Sequence, residues 1–255
     1  MKLKRDHRIA PFIKDIIILE SERNKEHTLP IYADGYPGIV FSKTENDVIL
    51  KPSNKILSEF YLFGQTIEPI ELVTNGPYKM VVFQLYPFAT RILLGVDPQK
   101  LNDDCFDLKK IQSVNTNETI SRLKVSDTGE QIRIISDYIL ELVKHSSKSY
   151  DNDIKLAVTT IINSKGSIPI HRLRAQLYIT ERTFERRFAK EIGVTPKQFA
   201  KITQFSFSLN QIQESDYTSL TNVAYNNNFT DQSHFIRTFK RYTGHTPKEI
   251  LNTLK

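Results

Sequence analysis

Residues 173–199 read LRAQLYITERTFERRFAKEIGVTPKQF, and residues 223–250 read VAYNNNFTDQSHFIRTFKRYTGHTPKEI. Phe184, Phe188, Gly193, Thr195 and Pro196 of the first stretch recur at a constant offset of 51 as Phe235, Phe239, Gly244, Thr246 and Pro247 of the second. One supersecondary unit is therefore used twice. In each copy a short apolar helix leads through a turn to a Thr and then to a helix with Phe at i and i+4. That is a helix-turn-helix, whose second helix can lie in the major groove of DNA. The cap residues read from the sequence, Thr180 and Thr230, are only 50 apart, which predicts one extra residue between cap and first Phe in the second copy.

Working outward, Thr195-Pro196 starts a helix with Phe199, Ile202, Leu209 and Ile212 inward, running to about Glu214. Roughly 20 residues at 1.5 Å each make a strut of about 30 Å, close to the ~34 Å turn of B-DNA. Upstream, Asp151 or Asn152 caps a helix through Asn163, and Ile170 to Leu177 forms the support helix of the first unit.

Helical geometry assigns the outward faces. Arg182, Glu185, Arg186 and Ala189 lie at i, i+3, i+4 and i+7, opposite the phenylalanines. Arg182 and Arg186 suit guanine, and Glu185 suits cytosine N4 or the orientation of an arginine. In the second unit Gln232, Ser233, His234 and Arg237 face outward; His234 is as well suited to a phosphate as to a base. Arg187, Lys190, Lys240 and Arg241, with the caps Thr180 and Thr230, are the candidate backbone contacts.

Charge is distributed accordingly. Residues 1–150 hold 20 Lys/Arg against 20 Asp/Glu, whereas residues 151–255 hold 15 against 9, so the net charge of +6 sits on the C-terminal part. Neutralisation of phosphates by Lys and Arg supplies most non-specific DNA affinity. A hydrophobic content of 39% with 25% charged residues is that of a globular chain. The single Cys105 can form neither an intramolecular disulfide nor a zinc cluster and fits a reducing cytosol. The start, MKLKRDHRIAPF, has no apolar export core, and no apolar run is long enough to cross a bilayer.

From residue 7 to about 110 the chain reads as short strands, with candidates at Ile16 to Leu19, Gly38 to Phe41, Ile49 to Leu50, Ile56 to Phe63 and Lys79 to Tyr86. Pro30, Asp34-Gly35, Pro37-Gly38, Pro52, Pro69, Asn75-Gly76-Pro77 and Pro87 mark the breaks. This favours a β-sandwich or small barrel. Gly129 to Lys144 carries Ile132, Ile135, Ile139, Leu142 and Val143 along one helical face, which either packs on its own β domain or pairs with a second subunit. His145 to Tyr150 is polar and reads as a linker. Tyr61, Phe63, Phe83 and Tyr86 either line a ligand pocket or form core.

No catalytic constellation is visible. His7, His27, His145, His171, His234 and His245 show no HxH or HExxH spacing, so no metal site is expected, and no cofactor motif occurs. Asp103-Asp104 reads as a solvated turn.

At these residues the chain resembles the AraC/XylS family of bacterial transcription regulators over about residues 151–255. The resemblance rests on the paired units, on Gly193-x-Thr195-Pro196 and Gly244-x-Thr246-Pro247, and on Asn228 to Phe235, which is similar to the family signature GFsdqSHF. It implies that Arg182, Glu185 and Arg186 fall on the first reading helix and Gln232, Ser233, His234 and Arg237 on the second. Tyr178 and Asn228 stand where the family usually has Gly. Tyr accommodates a left-handed backbone poorly, which predicts a first turn built differently.

The expectation is an α+β two-domain protein: a β-rich sensor or assembly domain at 1–145, a linker at 146–150, and a DNA-binding domain at 151–255 with two helix-turn-helix units joined by a long helix. It would be a cytoplasmic, sequence-specific transcription regulator. Its partners would be duplex DNA, a small effector or a second copy of the chain and, for an activator, RNA polymerase. The alternatives are a DNA-bound structural or partner-recruiting protein whose β domain takes no ligand and a DNA-repair enzyme fused to such a module, for which Cys105 alone is insufficient.

Overall fold

The structure is a computed structural model that describes residues 7–146 and 149–253; Ser147 and Lys148 of the expected linker lie outside the described residues. Among the described residues the N-terminal part has nine strands: β1 (Ile13–Ser21), β2 (Glu26–Ile31), β3 (Gly38–Thr44), β4 (Ile49–Lys51), β5 (Lys55–Ile56), β6 (Phe60–Phe63), β7 (Ile70–Asn75), β8 (Tyr78–Leu85) and β9 (Cys105–Asp107). They form two antiparallel sheets, ordered β1-β8-β3-β6-β9 and β2-β7-β4-β5.

Period-two alternation explains how one sheet serves two cores. On β3, β6 and β8, Val40, Tyr61, Met80 and Val82 turn toward the second sheet and meet Leu50, Ile70 and Leu72. Ile39, Phe41, Leu62, Val81 and Phe83 turn the other way, onto three helices. These are α1 (Ala89–Leu94), α2 (Thr116–Val125) and α3 (Thr128–His145).

α3 buries Ile134, Ile135, Tyr138, Ile139 and Leu142 in that core. Its apolar stripe therefore packs on its own domain. Asp127 caps it by accepting the Glu130 N–H at 2.9 Å.

Three strands escaped the sequence reading: β2, β7 and β9. Pro30 was read as a break, yet it lies within β2, paired with Glu71. β2 is an edge strand, where a sheet tolerates a residue without an N–H. The run from Ile56 to Phe63 is two strands in different sheets, since β5 pairs with β4 and β6 with β3.

The C-terminal part is helical: α4 (Asn152–Asn163), α5 (Ile170–Gln176), α6 (Glu181–Ile192), α7 (Pro196–Gln213), α8 (Leu220–Asn226), α9 (Gln232–Thr243) and α10 (Pro247–Thr253). Each helix-turn-helix has its own core. Phe184 and Phe188 pack with Ile154, Ile161, Leu173 and Phe199, while Phe235 and Phe239 pack with Phe205, Val223, Phe229 and Tyr242. α7 contributes to both and holds them together; Thr195 caps it and Pro196 opens it.

The two parts are packed together. Phe88 joins the core of the first unit, and Ala33 that of the second. A Cβ on Gly193, at φ 95°, would stand 2.8 Å from the Pro98 carbonyl oxygen, so the end of α6 needs glycine both for its backbone and for this approach. The polar stretch after α3 is anchored on both sides. Ser146 Oγ donates to the Ile92 carbonyl at 2.6 Å, and Tyr150 stacks on Phe12 and meets Phe88 edge-on.

Candidate nucleic-acid interface

α6 opens on Thr180, whose Oγ1 accepts the Thr183 N–H at 3.3 Å, and closes on Gly193 in the left-handed region. α9 opens on Asp231, whose Oδ1 accepts the His234 N–H at 2.7 Å, and closes on Gly244. The second cap is thus Asp231 and not Thr230, and the caps stand at the same offset of 51 as the phenylalanines. The extra residue of the second copy lies before the cap, within the turn. There Tyr178 (φ 54°) and Asn228 (φ 60°) hold equivalent left-handed positions 50 residues apart. The first turn is therefore entered as the second is, with Tyr178 carrying the strain and 97% exposed.

The common register aligns α6 and α9 position by position. The stripe Arg182, Glu185, Arg186 and Ala189 of α6 corresponds to Ser233, Ile236, Arg237 and Lys240 of α9. Arg182, Glu185 and Arg186 are exposed, and so are Ser233, Ile236, Arg237 and Lys240. The sequence reading omitted Ile236, which is 40% exposed on an otherwise polar face. Its signal was an apolar residue one position past the buried Phe235, visible once the register is set.

Two of the expected readers lie off this stripe. Gln232 donates from Nε2 to Thr221 Oγ1 at 2.6 Å, across to the support helix. His234 is half-buried, with its ring edge-on to Phe229 and Nδ1 3.3 Å from Thr230 Oγ1. Gln204, on α7, is buried and donates to the Asn227 carbonyl at 2.8 Å.

Two of the expected backbone cations are engaged within the protein. Arg187 donates from Nε and Nη2 to the two Asp151 oxygens at 2.8 and 2.6 Å, and from Nη2 to Asp153 Oδ2 at 2.8 Å. This fork ties α6 to the start of α4 and raises the guanidinium pKa further, chiefly through the Asp151 hydrogen bond. Burial opposes ionisation of Asp151, but the Arg187 hydrogen bonds prevail and hold its carboxyl below the usual range. Arg241 reaches Glu68 of the N-terminal part at 3.8 Å. Lys190 remains exposed at the flank of the α6 stripe, and Lys240 at the C-terminal end of the α9 stripe.

Both helices carry a carboxylate at their N-terminal end, Glu181 in the first turn of α6 and Asp231 as the cap of α9.

Elsewhere, a cavity of about 480 Å³ lies between the two sheets and is closed on one side by Leu209, Asn210 and Gln213 of α7. Tyr61 and Phe63 line it; Phe83 belongs to the helix-facing core, and Tyr86 stacks on Phe88. Asp103 is not merely a solvated turn residue, since its Oδ1 accepts the N–H groups of Ile67 and Glu68 at 2.6 and 3.0 Å. Burial pushes the Cys105 thiol up to about 12, which opposes any role as a nucleophile. Among the described residues, no helix is long and apolar enough to cross a membrane.

Residues 173–253 match a helix-turn-helix domain family, and residues 4–107 match a domain of unknown function (DUF6597). No curated protein matches in sequence. Several structures of ToxT from Vibrio cholerae share the fold. One, in a P21 crystal form, is 15% identical with a TM-score of 0.55, covering 95% of this chain and 100% of that one. ToxT bound to (E)-4-(8-methylnaphthalen-1-yl)but-3-enoic acid is 14% identical with a TM-score of 0.55, over 95% and 100%. ToxT bound to an unsaturated fatty acid is 13% identical with a TM-score of 0.54, over 92% and 94%.

Proposed function

We propose that this chain, which joins an AraC-type helix-turn-helix domain to a β-rich N-terminal part in a ToxT-like fold, is a sequence-specific DNA-binding transcription regulator. The observation that carries the reading is the common register of α6 and α9, which turns one exposed stripe from each unit outward on the basic part of the chain. Arg182 and Arg186 take guanines, and Glu185 takes a cytosine N4 or orients an arginine. Ser233 and Arg237 read polar base edges, and Ile236 packs on a thymine methyl. Thr180, Lys190 and Lys240 meet phosphates. Arg187 sets the position of α6 and leaves phosphate contact to its neighbours.

The two stripes differ, so the two half-sites differ. α7 spans 18 residues, about 27 Å. Against the ~34 Å turn of B-DNA this favours a site that bends toward the protein.

The N-terminal part senses a small effector in the cavity between its sheets. The floor supplied by α7 supports this, because an occupant there touches the helix that joins both DNA-reading units. ToxT structures holding a fatty acid and a naphthyl-butenoic acid are in keeping with it. Selection of bound fragments from random duplex DNA tests the DNA reading: an enriched two-part motif supports it, and absence of enrichment contradicts it.

A further inference from the structure

The wall of the cavity between the sheets is apolar over most of its area, with Leu29, Leu72, Met80 and Val82 among its residues. Its polar groups are the Tyr32 hydroxyl, the Gln84, Asn210 and Gln213 amides and one carboxylate, Asp34. No Lys, Arg or His lines it among the described residues. Lys14, the cation that acts on Asp34, lies over the Tyr36 ring at 3.8 Å. Asp34 also accepts from Gln84 Nε2 at 2.7 Å and from the Tyr36 N–H at 2.8 Å, so it is already supplied with partners. Tyr61 is 1% exposed, and its hydroxyl has no hydrogen-bond partner among the described residues. That hydroxyl is thus out of an occupant's reach.

A carboxylate entering this space would lose its hydration, meet no cation on the wall and approach a second carboxylate. We propose that the cavity takes an uncharged amphiphile, an apolar body bearing a hydroxyl, carbonyl or amide group, and discriminates against carboxylic acids. The inference rests on the effector reading above and narrows it to a ligand class. Its head group hydrogen-bonds to the α7 amides of Asn210 and Gln213, and its body fills the space between the sheets.

The test uses the full chain and three probes that share one body: oleyl alcohol, oleic acid and oleylamine. Each is titrated at pH 8 below its aggregation concentration, with binding read by calorimetry and by thermal shift. The alcohol is expected to bind roughly tenfold or more tightly than the acid. Asn210→Lys, at an exposed α7 position on the cavity, is expected to raise acid affinity toward that of the alcohol, and Leu72→Trp to weaken the alcohol by filling the space. Tightest binding of the acid or the amine to the wild type overturns the ligand class and leaves the effector reading standing. Binding that neither variant alters overturns this site. Absence of binding by all three probes, to wild type and to Asn210→Lys, overturns the class and the effector reading together.

Discussion

Asn102 donates from Nδ2 to the carbonyl oxygen of Gly193 at 2.9 Å, so the residue that ends α6 is held by a loop of the N-terminal part. Beside it the Arg91 guanidinium pairs with Glu191 of the same helix, whose carboxylate is buried. The orientation of α6 is thereby tied to the domain that carries the cavity. Arg91→Ala leaves the Glu191 carboxylate buried without this partner and is expected to lower stability by about 1–3 kcal/mol, with Arg91→Lys recovering part of it. Urea denaturation of the three proteins checks this, and equal midpoints would count against the contact.

Arg187 and Lys190 lie three residues apart on α6 and separate two roles. Arg187→Ala is expected to cost about 1 kcal/mol of stability after solvent screening, with little change in the salt dependence of DNA binding. Lys190→Ala should leave stability alone, weaken binding to all sequences and reduce the salt slope by about one. Because Asp151 titrates below its ordinary value when folded, the Arg187 contribution is present above pH ~4 and is lost as pH falls through the folded value. Melting curves from pH 7 to pH 3 should therefore converge for wild type and Arg187→Ala at the acid end.

Ile236 is expected to read a methyl group. Ile236→Ala should weaken the selected site by about 1 kcal/mol, and replacing one thymine by deoxyuridine should weaken wild type by a similar amount without further weakening the variant. Additive losses in that cycle would show that Ile236 and the methyl do not meet.

Asp34 gives the fold a pH dependence of opposite sign to that of Asp151. Burial raises its carboxyl to about 6, against the pull of the Tyr36 N–H and Lys14. A folded value above the unfolded one means that the protein gains stability as pH falls from about 6 toward 4 and loses it again as pH rises. Asp34→Asn removes this term, so its melting temperature relative to wild type should rise between pH 4 and pH 7. A constant difference across that range would contradict the burial of an ionising carboxyl.

Much of the helical C-terminal part was legible because its signals are local and periodic. Phe184 with Phe188, and Phe235 with Phe239, mark buried helix faces, and the Gly-x-Thr-Pro repeats mark where those helices stop. The cap of α9 was misplaced by one residue because Thr230 and Asp231 both make good caps, and only the backbone turn at Asn228 decides between them. The ion pairs of Arg187 were not legible for a different reason: its partners Asp151 and Asp153 are more than 30 residues away, and no periodicity reports such a pairing. The same holds for the cavity. Tyr61 and Phe63 alternate with core residues on one strand, and which of them borders open space depends on the sheet across from it and on α7. Pro30 shows the limit of turn punctuation, since a proline on an edge strand breaks nothing.

The most direct measurement is selection of bound fragments from random duplex DNA by the purified full chain, repeated with Arg186→Ala and Arg237→Ala. The account predicts one motif of two unlike halves about 10–10.5 bp apart, with Arg186→Ala relaxing one half and Arg237→Ala the other. A single palindromic motif, or relaxation of the same half by both substitutions, would contradict it.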